Sequence, residues 1–165
     1  MDKLIAKLLE LLEAEFGTVF GAYYWDRPET QVINRTVFPA IYVFANNSNI
    51  AGVGTGTVKD AWSETVTISA VLNMKDYLGI NEADGVNTVD TQLVKWCQES
   101  NASYEIIDKS IIGVIRKNID VDGIVLYSKD IAIDYDGQTV VDKDTLLKWV
   151  NVQVTFDSRR IRNTW

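Results

Sequence analysis

The sequence predicts an α+β fold, a mostly antiparallel sheet of about four to five strands with two α-helices packed against it. Two segments carry apolar residues at helical spacing, several others alternate apolar and polar residues as strands do, and glycine or Asp-Gly turns separate them. At 165 residues the chain fits one domain, 1–165, which would bury roughly 70% of the surface of the unfolded chain. Within it we expect residues 158–165 to form a mobile C-terminal arm.

The segment from Ala61 to Met74 is the longest strand that the sequence predicts. Its polar and apolar residues alternate, Thr65, Thr67 and Ser69 against Val66, Ile68, Ala70 and Leu72. Val71 falls on the polar face, which indicates that this face is also partly covered. We therefore expect this strand inside the sheet and not at its rim.

Two helices are predicted. The first runs from Asp2 to Phe16, with Asp2 as its cap, a wide leucine-rich stripe facing the sheet, and Gly17 as its stop. The second runs from Gly85 to Ser100 and carries Cys97 on or next to its apolar face. Because the chain has no histidine and no second cysteine, we expect a buried structural thiol there.

The remaining strand-like segments complete the predicted sheet. They are Thr18 to Trp25 (a short strand or an ordered loop), Ala40 to Ala45, Ile106 to Val121, Gly123 to Leu126, Ile131 to Tyr135, and Lys148 to Asp157, which closes the sheet. Pro39 cannot donate to a ladder, so the second of these strands begins after it. Tight reversals are expected at Asp122-Gly123 and Asp136-Gly137, and a mobile hairpin loop from Asn46 to Lys59.

Composition argues against most enzyme classes. The absence of histidine removes the commonest general base and the usual zinc ligand. The net charge of −7 disfavours binding to phosphates of nucleic acid. A single cysteine forms no internal disulfide, and no signal-like or membrane-spanning run is present, so we expect a protein made and kept in a reducing cytoplasm without membrane contact. We expect no catalytic activity and no cofactor.

One segment resembles half of a calcium loop. Asn118, Asp120 and Asp122 stand at alternating positions before Gly123, as in the first half of an EF-hand. The twelfth position, which needs a bidentate glutamate, is Lys129. A turn without metal is therefore favoured over a calcium site.

The C-terminal segment SRRIRNTW is basic and aromatic on an otherwise acidic chain. It is either the frayed end of the last strand or an arm that pairs with an acidic neighbouring subunit. The second interpretation favours head-to-tail self-association.

The order of these elements resembles that of the tail terminator, or tail completion, proteins of long-tailed bacteriophages. The segments concerned are the N-terminal helix, FPAIYVFA, WSETVTISAVLNM, GVNTVDTQLVKWCQES and KWVNVQVTFDSR. The resemblance covers most of the chain and rests on order, length and pattern. It implies a structural virion protein at the head-proximal end of the tail, a hexameric ring that stops tail-tube growth and meets the head-side connector or neck protein. DNA would pass through its negative lumen without specific binding.

The resemblance implies partner contacts in place of catalytic, cofactor or metal residues. The expected contacts lie in the loop and the C-terminal arm: Asn49, Val53, Thr55, Lys59, Arg159, Arg160, Arg162 and Trp165. Two alternatives remain open. A head–tail neck or adaptor protein would form a similar ring with a different partner, whereas a small non-viral ligand-binding or carboxylate enzyme domain would be a monomer or dimer with a pocket of perturbed acids.

Overall fold

The computed structural model describes residues 1–27, 37–51, 59–76, 88–103, 105–140 and 145–161. In these ranges the chain has the predicted α+β fold, a five-stranded sheet with helices on one face. The helices are α1 (Asp2–Phe16), α2 (Thr88–Gln98) and α3 (Ile111–Lys117), one more than predicted. The strands are β1 (Ala22–Tyr24), β2 (Ala40–Ala51), β3 (Lys59–Asn73), β4 (Tyr127–Val140) and β5 (Leu146–Ile161).

The sheet has the strand order β1-β2-β3-β5-β4. The β1–β2 pair is parallel, and the β2–β3, β3–β5 and β4–β5 pairs are antiparallel. The longest predicted strand, β3, lies at the centre, as expected. It pairs with β5 along its whole length, from Lys59 opposite Ile161 to Asn73 opposite Leu147. The last strand is therefore interior, and β4 forms one rim of the described sheet.

Helix α1 has the predicted bounds. Its buried side chains recur at helical spacing: Leu4, Ile5, Leu8, Leu12 and Phe16. Met1 and not Asp2 holds the N-cap position, so the Asp2 carboxylate lies in the first turn, where it interacts favourably with the helix dipole. Gly17 ends the helix with a φ of 54°, a conformation that glycine adopts without steric cost.

The main core lies between the helices and the sheet. Strands β3 and β5 contribute a fully buried apolar row each: Val66, Ile68, Ala70 and Leu72, and Val150, Val152, Val154 and Phe156. This confirms the alternation predicted for both strands. Helix α2 adds Val89, Leu93 and Cys97, and Cys97 is fully buried as expected. The first residues predicted for this helix, 85–87, lie outside the described residues.

The opposite face of the sheet is also covered at its centre. Val71 is fully buried in a smaller cluster with Tyr42 and Leu147, as its position predicted. The neighbouring polar side chains bond to each other: Ser69 donates to Asn151 Oδ1, and Asn46 Nδ2 donates to Thr67 Oγ1 over 2.6 Å. These bonds let Thr67 and Ser69 be buried without an unpaired hydroxyl.

The predicted strand from Ile106 to Val121 is wrong, because its middle forms α3. The Ser110 side chain caps this helix by accepting a hydrogen bond from the Gly113 amide over 3.0 Å. Residues Ile111 to Ile115 are all buried, so the helix is apolar on every side. A short helix of this kind has the same continuous apolar run as a buried strand, and periodicity does not separate the two.

Two predicted reversals also differ from the structure. Asp136-Gly137 lies inside β4, where the pairing with β5 shifts between Asp134 and Gly137 as in a β-bulge. The Trp149 indole lies against Gly137 so closely that a Cβ there would be 2.0 Å from its Nε1 atom. Asp122-Gly123 does lie in a turn, but this turn joins α3 to β4 and not two strands.

The hairpin loop is shorter than predicted. Strand β2 continues to Ala51 and β3 begins at Lys59, so Asn46 to Ala51 belongs to the sheet. The remaining residues of the predicted loop, 52–58, lie outside the described residues. Of the predicted C-terminal arm, Ser158 to Ile161 extend β5, whereas 162–165 lie outside the described residues.

Ile68 offers a direct test of the core. Replacing this fully buried residue by alanine (Ile68→Ala) should lower the free energy of unfolding by about 2–5 kcal/mol, because a cavity remains between the sheet and the helices. Chemical denaturation measures the loss. The matched control is Val94→Ala on the exposed side of α2, where the change should stay within about 0.5 kcal/mol. Equal effects would contradict the described core.

Gly113 tests helix α3. In an exposed helix, Gly→Ala stabilises by roughly 0.5–1 kcal/mol, but here the new Cβ would lie 2.1 Å from the Ile107 carbonyl oxygen. We expect Gly113→Ala to destabilise the protein by about 1–3 kcal/mol in thermal or chemical denaturation. Arg116→Ala, at an exposed position in the last turn of the same helix, is the control. A stabilised Gly113→Ala variant would show that the helix does not pack as described.

Candidate assembly interface

Three strands continue side by side at one end of the sheet. We call this part the sheet extension, and it consists of Asn47–Ala51 of β2, Lys59–Thr65 of β3 and Thr155–Ile161 of β5. Its backbone register is continuous: Asn49 lies opposite Ser63, Ser63 opposite Asp157, and Asp157 opposite Tyr127 of β4. The pairing thus brings the predicted loop region and the predicted C-terminal arm next to each other, although more than a hundred residues separate them in sequence.

The predicted contact residues fall into three groups. Asn49 and Arg159 are exposed on the sheet extension. Lys59 on β3 pairs with Ile161, and Arg160 on β5 pairs with Asp60. The side chains of Lys59 and Arg160 lie outside the described part of the structure. The other four predicted contacts lie outside the described residues: Val53, Thr55, Arg162 and Trp165.

A groove of about 330 Å³ lies beside β5 where β4 begins. Its walls include Trp62 of β3, Leu126 and Tyr127 at the start of β4, and Arg159 of β5. Leu126 is 49% exposed and Tyr127 is 44% exposed, an unusual exposure for large apolar side chains in adjacent positions. Sequence reasoning missed these residues, because an apolar run after Gly123 is as typical of a buried strand as of an exposed patch.

Ser158 lies in the wall of this groove with an unsatisfied hydroxyl. It is 6% exposed, and its Oγ atom has no hydrogen-bond partner within the described structure. A buried hydroxyl without a partner costs about 1–3 kcal/mol. A group that enters the groove and bonds to this hydroxyl would recover that free energy.

The charges around the groove are mixed and locally basic. Lys129 and Arg159 are exposed, and Asp157 between them is partly buried. The chain as a whole has a net charge of −7, so these two cations differ in sign from the charge of the molecule. An acidic partner surface would be attracted to it.

The start of α1 is attached to the same end of the sheet. The Met1 amino group lies 3.1 Å from Oε1 of Glu64, and the Glu64 side chain is only 3% exposed. Ile124 lines the cavity next to this pair. The contact connects the helix layer to the base of the sheet extension.

The turn that resembles half of a calcium loop forms an ion pair with helix α1. Val121, Asp122 and Gly123 all have positive φ, at 48°, 54° and 77°, and the Asp122 carboxylate lies 2.9 Å from Lys7 Nζ on α1. Across the described ranges no group of three or more His, Cys, Asp or Glu side chains is arranged to hold a metal ion. No helix in the part of the chain described here is long and apolar enough to span a membrane.

Two of the strongly shifted pKa values belong to Cys97 and Tyr135, which meet between α2 and β4, away from the groove. Burial raises the pKa of the Cys97 thiol to about 11, and its hydrogen bond with Tyr135 opposes this shift only in part. Burial, and then the charge of Cys97, raise the pKa of Tyr135, whose hydroxyl accepts a 2.9 Å hydrogen bond from Gln98 Nε2. A thiol that stays protonated is a poor nucleophile, so this contact supports packing and not chemistry.

Cys97 should make the protein less stable in alkali. Its raised pKa stabilises the folded state fully below pH 9, and this contribution disappears as the pH rises from about 9 to about 11, because the unfolded thiol ionises first. Between pH 8 and 10 the free energy of unfolding should fall by about 1 kcal/mol more for the wild type than for Cys97→Ala. Denaturation at a series of pH values measures the difference. Parallel curves would contradict the shift.

A scan against protein-family models and a search of curated proteins both find no match to this chain.

Proposed function

We propose that this protein is a structural virion component of the tail-terminator type, which caps a tail tube as a homo-oligomeric ring and offers a surface to the head-side connector. The element order that resembles this family supports the proposal, since the described helices and strands include α1, β2, β3, α2 and β5 in the order of the resemblance. Its chemistry is stoichiometric binding, in which exposed strands and side chains are covered by partner molecules.

The observation that carries the proposal is the sheet extension with its groove. It combines exposed apolar side chains, a buried hydroxyl without a partner and two exposed cations at one end of the molecule. These are properties of a surface that is covered in an assembly: the apolar area favours burial, and the polar groups fix orientation. A monomer would leave the apolar side chains exposed and the buried Ser158 hydroxyl unsatisfied, both at a cost in free energy.

The charge of the chain fits passage of DNA through such a ring. With 23 acidic against 16 basic residues, the ring wall would repel phosphate and would not hold DNA in the channel. The locally basic groove would then be occupied by protein and not by DNA. The proposed partners are further copies of this chain, the tail tube protein and a neck protein of the connector.

Loss of the protein should change tail length. In a phage or prophage that encodes this chain, we expect that abolishing its expression gives overlong or irregular tails, unattached to heads, in electron micrographs of the lysate. Expression of the wild-type chain from a plasmid should restore uniform tails.

The same experiment separates the alternatives. Tails of normal length that fail to join heads would contradict termination and indicate a neck or adaptor protein. Intact infectious particles would contradict every virion function proposed here.

A further inference from the structure

The interior strands of the sheet become edge strands in the sheet extension. On one side, β1 pairs with β2 only at Ala40–Tyr42, and no other described strand covers the outer side of β2 as far as Ala51. On the other side, β4 begins at Tyr127, opposite Asp157, and no described strand covers β5 from Ser158 to Ile161. Among the described residues, each side of the sheet extension therefore has a row of backbone N–H and C=O groups without a neighbouring strand, with which another strand can pair.

The edges of the sheet differ in how they are protected. The β2 segment from Val43 to Ala51, VFANNSNIA, contains no charged residue and no proline. By contrast, the outer strand β4 carries Lys129, Asp130 and Asp134, all exposed. Charged side chains and proline are the usual means by which natural sheets prevent edge pairing. The sequence thus protects β4 and leaves β2 able to pair.

We propose that the open edge of β2 in one copy pairs with the open edge of β5 in the next copy, joining the sheet extensions head to tail. This inference rests on the ring proposed above and assigns the surfaces that form it. Strands β2 and β5 are both antiparallel to β3 and therefore run parallel to each other within one copy. In a ring whose copies keep the same strand direction, the new pair is a parallel one. The contact uses two different surfaces of each copy, so an open chain of copies keeps one free edge at each end until the ring closes.

Charge disfavours a two-fold contact between two β5 edges. The β5 edge carries the exposed Arg159, and two β5 edges facing each other would bring like charges together. The uncharged β2 edge avoids this repulsion. An incoming β2 strand lies in line with β4, over the groove formed by Leu126 and Tyr127, and covers the unsatisfied Ser158 hydroxyl.

Changing the charges at Asn49 and Arg159, on the two strands that the proposal pairs between copies, tests the pairing. Asn49 and Arg159 lie on the same face of the sheet, because Asn49 is opposite Ser63, Ser63 is opposite Asp157, and Arg159 follows two residues later. We expect Asn49→Lys to convert the purified full-length ring to monomers in light scattering and native mass spectrometry. Asn49→Asp should keep the ring, and Asn49→Lys combined with Arg159→Glu should restore it.

The matched control is Ala132→Lys, a lysine at an exposed position on the same face of the already charged strand β4. It should leave the ring intact, and circular dichroism of every variant checks that it is folded. A wild-type protein that is monomeric at its highest soluble concentration, or a ring that survives Asn49→Lys, would overturn the proposal.

Disulfide cross-linking distinguishes head-to-tail from two-fold pairing. With cysteines at positions 49 and 159 (Asn49→Cys with Arg159→Cys), oxidation should give a ladder of covalent oligomers, whereas each single variant should remain uncross-linked. Cys97 is fully buried and should not take part. Dimers from a single variant would overturn the proposal. These measurements use the purified protein alone, so a ring that forms through these edges stands even if tail length proves independent of the gene.

Discussion

The structure depends on the pairing of β3 on both sides. This strand bonds to β5 from Lys59 to Asn73 and to β2 from Ala61 to Val71, which satisfies its backbone groups in the middle of the molecule. Because both of its backbone edges are satisfied, β3 can bury apolar side chains under the helices and polar ones on the other face. The buried apolar side chains of β5 and α1 belong to the same core as the apolar face of β3.

The same pairing makes the open end of the molecule. Strands β2, β3 and β5 are long, whereas β1 stops at Tyr24 and β4 begins only at Tyr127. At this end the inner strands therefore reach past their outer neighbours, and their edges and the groove beside Ser158 result from where β1 ends and β4 begins. The charged residues of β4 keep the other rim from pairing. Assembly would then be directed to one end of the sheet.

Sequence patterns succeeded where one periodicity was dominant. The stripe of α1 and the alternation in β3 and β5 each follow one burial pattern, so their bounds or positions were predicted well. They failed at Ile111–Lys117 and at Asp136-Gly137, because a helix buried on all sides has no stripe and a bulge uses the same residues as a turn. Of the candidate interface, Asn49 and Arg159 were predicted, whereas Tyr127 and Ser158 were not.

The sequence by itself determined the α+β class, the central strand, the buried cysteine and the charge of the chain, since these follow from local spacing and composition. Tertiary structure alone decided that β5 inserts between β3 and β4, because strand order depends on contacts between distant segments. It also decided that Asn49 and Arg159 share one end of the sheet. Which edges stay open among the described strands depends on where paired strands begin and end relative to one another, and no single segment contains that information.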